Sequence, residues 1–467
     1  MTTANKDLAR ERANLSFNVK DLTNLLSGGL KVTERRRFLR SLVDNDPVFD
    51  VRDRPFISRA QYYVRVLEKI KRLIELKKEH NLDSENYLFL RSSTGEALPI
   101  LLHEDLFIPT LKGQMSDEQL AQWLPLAENY QIFGCYAQTE LGHGSNLRKL
   151  ETTATFIHET DEFELHSPTL TSLKWWPGAL ARSSNYAAVF ARLILPDGKD
   201  YGMHVFLTQI RDENHEPIPG VEVGDIGECD GRDIEVVVVR NGVGVRHSCP
   251  SGSIEHGGRR KPECTPPRSY INGPKTPSRR SYLLTNSHSI VPTGPKLGFN
   301  SIDNGYLRLT RVRIPRSQMM MRFSKISRDG VYSQPLHDKL SYATMVSVRT
   351  NIVENSSGSL AKAMTIAIRY SAVRHQGNDP SGTGEYQVLD YTKQQHTLMT
   401  SLALTYALHY TGRYMRDMYE ANLRNVMSGG DTSMMQDVHA VSSGLKAVCS
   451  QLVLESIETA RQACGGE

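Results

Sequence analysis

Hydrophobic and polar positions divide the chain into stretches of different periodicity. In residues 58–81, apolar side chains recur at the three- and four-residue spacing of an amphipathic helix. A second helix is predicted from Ser116, because Gln119 stands where it can return the hydrogen bond of a capping serine. The first part of the chain is therefore predicted to be helical.

After Gln131 the pattern changes to short runs of β-branched and aromatic residues separated by Asp-Gly and Pro-Gly pairs. The predicted strands are 133–137, 151–158, 162–166, 187–195 and 201–210. Long helical patterns with few breakers return after Pro335, at 340–374, 391–424 and 437–463. We predict an α+β fold: an N-terminal helical domain (1–131), a central β domain (132–315) and a C-terminal helical bundle (316–467).

The amino-acid composition limits the classes of protein to which the chain can belong. A chain of 467 residues, 39% of them hydrophobic and 23% charged, can bury more than one core. No basic stripe interleaved with aromatic residues indicates nucleic-acid binding, and no apolar run has the length of a signal-peptide core or a membrane span. We therefore expect a soluble intracellular protein. The six cysteines are scattered, which favours reduced thiols, and they lack the paired spacing of zinc modules, so no metal site is expected.

Two segments carry candidate chemistry. In the first, Gln138 and Thr139 offer a hydroxyl and backbone donors, and the glycines that follow let the backbone approach a ligand closely. In the second, paired tryptophans at 175 and 176 supply a flat apolar surface for a large conjugated ring. A β corner with two core tryptophans is the alternative for either segment alone.

Together, GCYAQTELGHGSNLRKLETTA (134–154) and KWWPG (174–178) resemble the flavin-facing wall of the acyl-CoA oxidases, within the acyl-CoA dehydrogenase superfamily. Residues 297–316 are similar to the last β-domain strands of those oxidases. The resemblance implies FAD as cofactor and Ser145 as a contact of the acyl-CoA substrate. The residues that it assigns to the flavin side of FAD are Gln138, Thr139, Trp176 and Gly178.

Two later segments resemble family elements that bind the adenosine diphosphate part of FAD. Arg374 and Gln376 match an Arg-x-Gln segment that reaches across a dimer interface in the family, and an arginine fork suits a pyrophosphate. Gly377 and Asn378 follow here, where the family often has Phe-Gly, and an exposed helix-end arginine is the alternative. Gln462, Gly465 and Gly466 resemble a Gln-x-x-Gly-Gly element lining the same cofactor.

The chain departs from the family pattern between Gly227 and Pro295. Residues 228–294 are rich in Pro, Gly, Ser and Arg and, apart from 234–239, show neither helical nor strand periodicity. We interpret them as a disordered, exposed and dispensable insert, open to proteolysis after Arg259 or Arg280. As the origin of residues 228–294 we favour an unspliced or wrongly assigned segment.

A second departure concerns the catalytic base. In the oxidases, a glutamate some tens of residues beyond the Gly-Gly element takes the α-proton of the acyl-CoA. That position lies beyond Glu467, and residues 340–353 contain no carboxylate. The bundle is therefore expected to be incomplete, with no catalytic residue assigned, and Glu467 or Glu354 are the first to test.

Three functions stay open. The first is an acyl-CoA oxidase of fatty acid β-oxidation, which makes trans-2-enoyl-CoA and reduces dioxygen to hydrogen peroxide. The second is a catalytically incompetent isoform that at most binds or dimerises, and the third is a dehydrogenase that uses an electron-transfer flavoprotein. The family implies a homodimer in the peroxisome, although the chain shows no terminal targeting tripeptide.

Overall fold

The helices and strands of the computed structural model follow the local sequence signals closely. The structure describes residues 5–144, 146–227, 234–239, 242–247, 294–296, 298–333, 343–378, 382, 384–429, 431 and 433–466. None of the helices in these ranges could span a membrane.

Two of the N-terminal helices begin with a capping box. Ser58 and Gln61 exchange hydrogen bonds in a capping box that starts the long fourth helix, and Ser116 and Gln119 do the same for the eighth. Both predicted helix starts are confirmed. The helices are α1 (Lys6–Ala13), α2 (Val19–Ser27), α3 (Leu30–Asp44), α4 (Arg59–Glu79), α5 (Ser84–Ser92), α6 (Ile100–Leu102), α7 (Ile108–Gln114) and α8 (Asp117–Glu128).

The buried face of α4 follows its helical period. Val66, Ile70, Leu73 and Leu76 are buried and pack in one cluster with residues of α3, α5 and α6. This cluster lies beside the β strands in one compact unit.

Most of the strands form two sheets, and each sheet contains a strand from one of the two candidate segments. The larger sheet has the order β1-β5-β2-β3-β11, with β6 paired to β5, and the smaller has the order β4-β10-β7. The strands of these sheets are β1 (Gly134–Ala137), β2 (Thr153–Ile157), β3 (Glu162–His166), β4 (Lys174–Trp175), β5 (Tyr186–Ile194), β6 (Asp200–Gln209), β7 (Val221–Asp225), β10 (Gly305–Leu309) and β11 (Val312–Pro315). The five predicted strands correspond to β1, β2, β3, β5 and β6.

Three two-stranded ribbons complete the strands among the described residues. Strands β8 (Ile234–Val239) and β9 (Gly242–His247) pair antiparallel inside the segment interpreted as an insert. The other residues of 228–293 lie outside the described ranges, so the interpretation as a disordered insert stays a prediction. The remaining ribbons are β12 (Lys325–Ile326) with β13 (Tyr332–Ser333), and β14 (His375–Asn378) with β15 (Glu385–Gln387).

Three long helices form the C-terminal bundle: α9 (Ala343–Val373), α10 (Thr392–Gly429) and α11 (Met435–Ala463). They share one buried cluster that includes Val353, Leu360, Leu408 and Val453. Helix α10 runs five residues past its predicted end at Arg424.

The chain forms two compact units. One comprises Met1–Phe38, Asp105–Glu128 and Met320–Glu467, and the other comprises Leu39–Glu104 and Asn129–Met319. The α+β class with helices, then sheets, then a helical bundle is confirmed. The division at residues 131 and 315 stays a prediction.

Candidate functional site

The two segments that carry candidate chemistry lie side by side. The carbonyl of Thr139 accepts a hydrogen bond from the backbone N–H of Trp175 at 3.0 Å, and Glu140 forms an antiparallel bridge with Lys174. Thr139 is half-buried, and its hydroxyl makes no hydrogen bond to any residue that the structure describes. A free hydroxyl beside the tryptophan pair is therefore available to a ligand.

A buried ion pair between Lys174 and Glu140 links these two segments. The ammonium of Lys174 lies 3.0 Å from Oε1 of Glu140, with both side chains fully buried, and it also donates to the carbonyl of Phe190 at 2.6 Å. Glu140 accepts three further hydrogen bonds, from the backbone of Glu151 and from the backbone and hydroxyl of Thr152. Burial lowers the pKa of Lys174 to about 8, against the opposing effect of Glu140. The pair thus fixes the register of the two segments.

Trp175 and Trp176 have different environments. Trp175 stacks on Tyr306, with ring centroids 6.3 Å apart and planes inclined by 22°. Trp176 is 42% exposed and has φ +85°, in the left-handed region that L residues seldom adopt. Its carbonyl accepts from Nδ2 of Asn304 at 2.7 Å, and its N–H donates to the carbonyl of Gly305 at 3.0 Å. A strained backbone at a partly exposed tryptophan points to a function for Trp176.

Gly178 is confined by the protein itself. A Cβ at this position would lie 2.9 Å from Cγ2 of Ile302 and 3.2 Å from Cδ1 of Leu102. A larger residue here would therefore disrupt the packing against Ile302 and Leu102.

Arg211 is a residue of the site that the sequence did not reveal. Its guanidinium is buried and donates to the carbonyls of Leu180 at 3.1 Å, Ala181 at 2.7 Å and Ser184. These carbonyls belong to the turn that directly follows the tryptophan pair. Because its partners are main-chain atoms 27 to 31 positions away, no residue pattern marks it.

Asp303 holds the same turn through its N–H groups. Its Oδ2 accepts from the backbone of Arg182 at 3.0 Å and from the backbone and hydroxyl of Ser183 at 2.8 and 3.0 Å. Burial raises the pKa of this carboxyl group, and the hydrogen bonds from Ser183 oppose that effect. Together Arg211 and Asp303 bind both the donors and the acceptors of the turn after Trp176.

The second set of candidate residues lies in the other compact unit. The guanidinium of Arg374 donates to Oε1 of Gln376 at 3.1 Å, and both side chains are exposed. Gln462 is exposed and donates to Glu458 at 2.9 Å, while Gly465 has φ +83°. Arg374 and Gln376 are thus brought together, and the glycine end of α11 is open to a ligand.

These surroundings fit FAD. The exposed indole of Trp176 and the free hydroxyl of Thr139 suit a flavin ring, whereas Arg374 offers an exposed fork for a pyrophosphate. Ser145, the candidate substrate contact, and Glu467 lie outside the described residues. The individual assignments, including those of Gln138, Gln462 and Gly466, stay predictions.

One group of possible metal ligands occurs among the described residues. Atoms of Glu140, His143 and Glu151 lie within 4.8 Å of one another. The Lys174 ammonium already compensates Glu140, and His143 Nε2 lies 3.1 Å from Glu151. We therefore assign no metal to this group, and the expectation of no metal site stays a prediction.

Glu354, one of the two residues to test as a base, forms an ion pair with Arg416. Its Oε2 accepts from Nε of Arg416 at 2.9 Å and from the second guanidinium nitrogen. Within α9 the described residues before it, 343–353, carry no carboxylate. The carboxylate of Glu354 is thus already engaged by Arg416.

Comparison with known proteins gives a consistent result. A family model described as acyl-coenzyme A oxidase N-terminal matches residues 18–133, and one described as acyl-CoA oxidase, C-alpha1 domain, matches residues 342–467. The peroxisomal acyl-coenzyme A oxidase 1 of Homo sapiens is 38% identical over 466 residues, which cover 99% of this chain and 60% of that protein. The chain thus spans about 60% of the length of the curated relatives that it matches.

Solved structures agree. Arabidopsis thaliana acyl-CoA oxidase 1 superposes with a TM-score of 0.81 at 36% identity, covering 98% of this chain and 60% of that one. Acyl-CoA oxidase-2 of Caenorhabditis elegans, bound with FAD, ascaroside-CoA and ATP, also gives a TM-score of 0.81, at 39% identity, covering 100% of this chain and 61% of that one. Both family models, the relatives and the shared fold lead to one conclusion: the chain belongs to the acyl-CoA oxidase family.

Proposed function

We propose that this chain forms the FAD-binding part of an acyl-CoA oxidase. The reaction converts a fatty acyl-CoA and dioxygen into trans-2-enoyl-CoA and hydrogen peroxide. The observation that carries the proposal is the exposed indole of Trp176, held with φ +85° beside the free hydroxyl of Thr139. Backbone strain is retained where a function requires the geometry, and here it accompanies a side chain that is 42% exposed.

Each candidate residue has a defined part in the proposal. When bound, FAD accepts the hydride from Cβ of the substrate and passes the electrons to dioxygen. Thr139 binds the flavin through its hydroxyl or backbone, the face of Trp176 covers the ring, and Ser145 contacts the acyl-CoA. Arg374 and Gln376 hold the pyrophosphate of a partner subunit's FAD in a homodimer.

The names of the relatives support a biological setting. Several are named peroxisomal acyl-coenzyme A oxidase 1, which supports fatty acid β-oxidation in the peroxisome as the context of this chain. The relative bound with ascaroside-CoA supports a CoA thioester as the class of substrate.

One structural observation favours the second candidate function, a subunit that binds FAD and dimerises without turnover. Glu354 is already engaged by Arg416, and residues 343–353 of α9 carry no carboxylate that could take the α-proton. Peroxide release with palmitoyl-CoA decides between the two functions. Peroxide from this chain, retained in Glu354→Gln, supports the oxidase and excludes Glu354 as its base, whereas FAD binding without peroxide supports the binding subunit.

The assignment of Trp176 is tested by Trp176→Gly. Glycine adopts a positive φ without strain, so the free energy of unfolding should stay the same or rise by about 1 kcal/mol. FAD affinity should fall about tenfold, because the aromatic contact is lost. The matched control is Asn81→Gly, another left-handed position (φ +45°) in the same compact unit, which should leave FAD affinity unchanged. Equal FAD affinity in Trp176→Gly and the parent chain would contradict the assignment.

A further inference from the structure

The first turn of α10 connects the ends of the other two long helices. The side-chain Nε2 of Gln394 donates to Oγ of Ser371 at 2.8 Å, near the end of α9. The same nitrogen donates to the carbonyl of Ala463 at 2.9 Å, the last residue of α11. One amide group therefore satisfies an acceptor on each helix.

The two helix ends carry the candidate residues for adenosine diphosphate. Arg374 follows Ser371 by three positions, and Gly465 follows Ala463 by two. Ser371 is fully buried, so its hydroxyl is a fixed point on α9. The Gln394 amide thus sets the distance between the arginine segment and the glycine segment.

Tyr391, one turn before Gln394, supports the arginine segment as well. Its hydroxyl donates to the carbonyl of Gln376 at 2.9 Å. Gly377 has φ +84°, and a Cβ there would lie 2.5 Å from the tyrosine oxygen. Gly377 therefore permits the close approach that fixes Gln376, at a position where the family often has phenylalanine.

We propose that Gln394 is a positioning residue for FAD, which holds the Arg374 segment and the Gly465 segment in the arrangement that binds adenosine diphosphate. This inference rests on the proposed function. An amide nitrogen supplies two donors from one atom, which the two acceptors require. A carboxylate of the same shape has no donor, and an asparagine is one methylene shorter.

The test compares Gln394→Met with Gln395→Met. Methionine is neutral and of similar length but donates no hydrogen bond, and Gln395 is an exposed neighbour on the same helix with no side-chain hydrogen bond to the described residues. We expect Gln394→Met to weaken FAD binding about tenfold relative to Gln395→Met, since two ordering hydrogen bonds are lost. Binding of FMN, which lacks the adenosine monophosphate part, should be the same in both variants.

Ser371→Ala provides an independent variant. It removes only one of the two acceptors, so it should weaken FAD binding less, and it should add little to Gln394→Met in the double variant. Equal FAD affinity in the two methionine variants, or an equal loss of FAD and FMN, would overturn the role of Gln394. If the parent chain binds neither FAD nor FMN, the proposed function itself fails.

Discussion

The ammonium of Lys296 lies 3.1 and 3.2 Å from the two carboxylate oxygens of Asp225, although 71 positions separate these residues in the chain. Lys296 also donates to the carbonyl of Gly294 at 2.9 Å, and the Gly294 N–H donates to Asp225 at 3.1 Å. A Cβ on Gly294 would lie 2.2 Å from the carbonyl carbon of Gly227. The chain therefore leaves the smaller sheet and returns to it at one point, which Asp225 and Lys296 hold closed.

We expect this closed junction to make the segment between the two glycines removable. Deleting residues 228–293 and joining Gly227 to Gly294 should leave the unfolding midpoint and FAD affinity unchanged or raise the midpoint, because a long loop no longer has to be closed. Thermal unfolding and FAD titration measure the two effects.

The matching control is Lys296→Met, which leaves the Asp225 carboxylate without its cation. Lys296 is 1% exposed, so this change should cost about 3 kcal/mol or more of unfolding free energy.

A deletion variant that fails to fold while the parent chain folds would show that the segment is required. Protection of Arg259 and Arg280 from trypsin in the folded parent would argue against an exposed insert.

Arg211 should contribute strongly to stability. Arg211→Met leaves three buried carbonyls without their donor, and we expect a loss of about 3 kcal/mol or more in urea unfolding. The control is Arg192→Met in β5, whose arginine is 40% exposed and pairs with Asp200, and which should cost about 1 kcal/mol or less. Similar losses in the two variants would show that the buried contacts of Arg211 stabilise the fold no more than an exposed ion pair does.

The sequence predicts elements whose signals are local. Ser116 caps the helix that it was expected to cap, the helix predicted at 58–81 forms, and the β-branched runs form strands. The short strand β4 and the roles of Arg211 and Gln394 depend on main-chain partners far along the chain, which leave no periodic trace. Gly178 is a mixed case. The family resemblance assigns it to the flavin site, but only the structure shows that Ile302 packs against it.

Docking of α1 should depend on pH through His375. Nε2 of this histidine lies 3.2 Å from Oδ2 of Asp7, and Nδ1 lies 3.1 Å from the carbonyl oxygen of Glu385. Only the imidazolium can donate to both acceptors, and the Glu385 carbonyl, followed by Asp7, raises the pKa of His375.

Because the folded pKa lies above the ordinary value of 6.5, the stabilisation is fully present below that pH and is lost as pH rises through the folded pKa. Amide protection factors of residues 6–13 should therefore fall as pH increases through that range. His375→Gln should abolish the dependence. Protection factors that do not change with pH in the parent chain would contradict this role.

The buried pair of Glu140 and Lys174 should act as one unit behind the tryptophans. Lys174→Met leaves a carboxylate in a site without solvent, and Glu140→Gln leaves an ammonium there, so each change alone should cost about 3 to 5 kcal/mol of unfolding free energy. The double variant removes both charges and should cost less than the sum of the two single changes. A double-mutant cycle by urea unfolding measures the coupling, and the exposed pair Arg40 and Asp44 of α3, 2.8 Å apart, serves as the control with an expected coupling below about 1 kcal/mol. Additive losses at Glu140 and Lys174 would mean that the hydrogen bonds of each residue to its other neighbours, and not the ion pair, fix the register of the two segments.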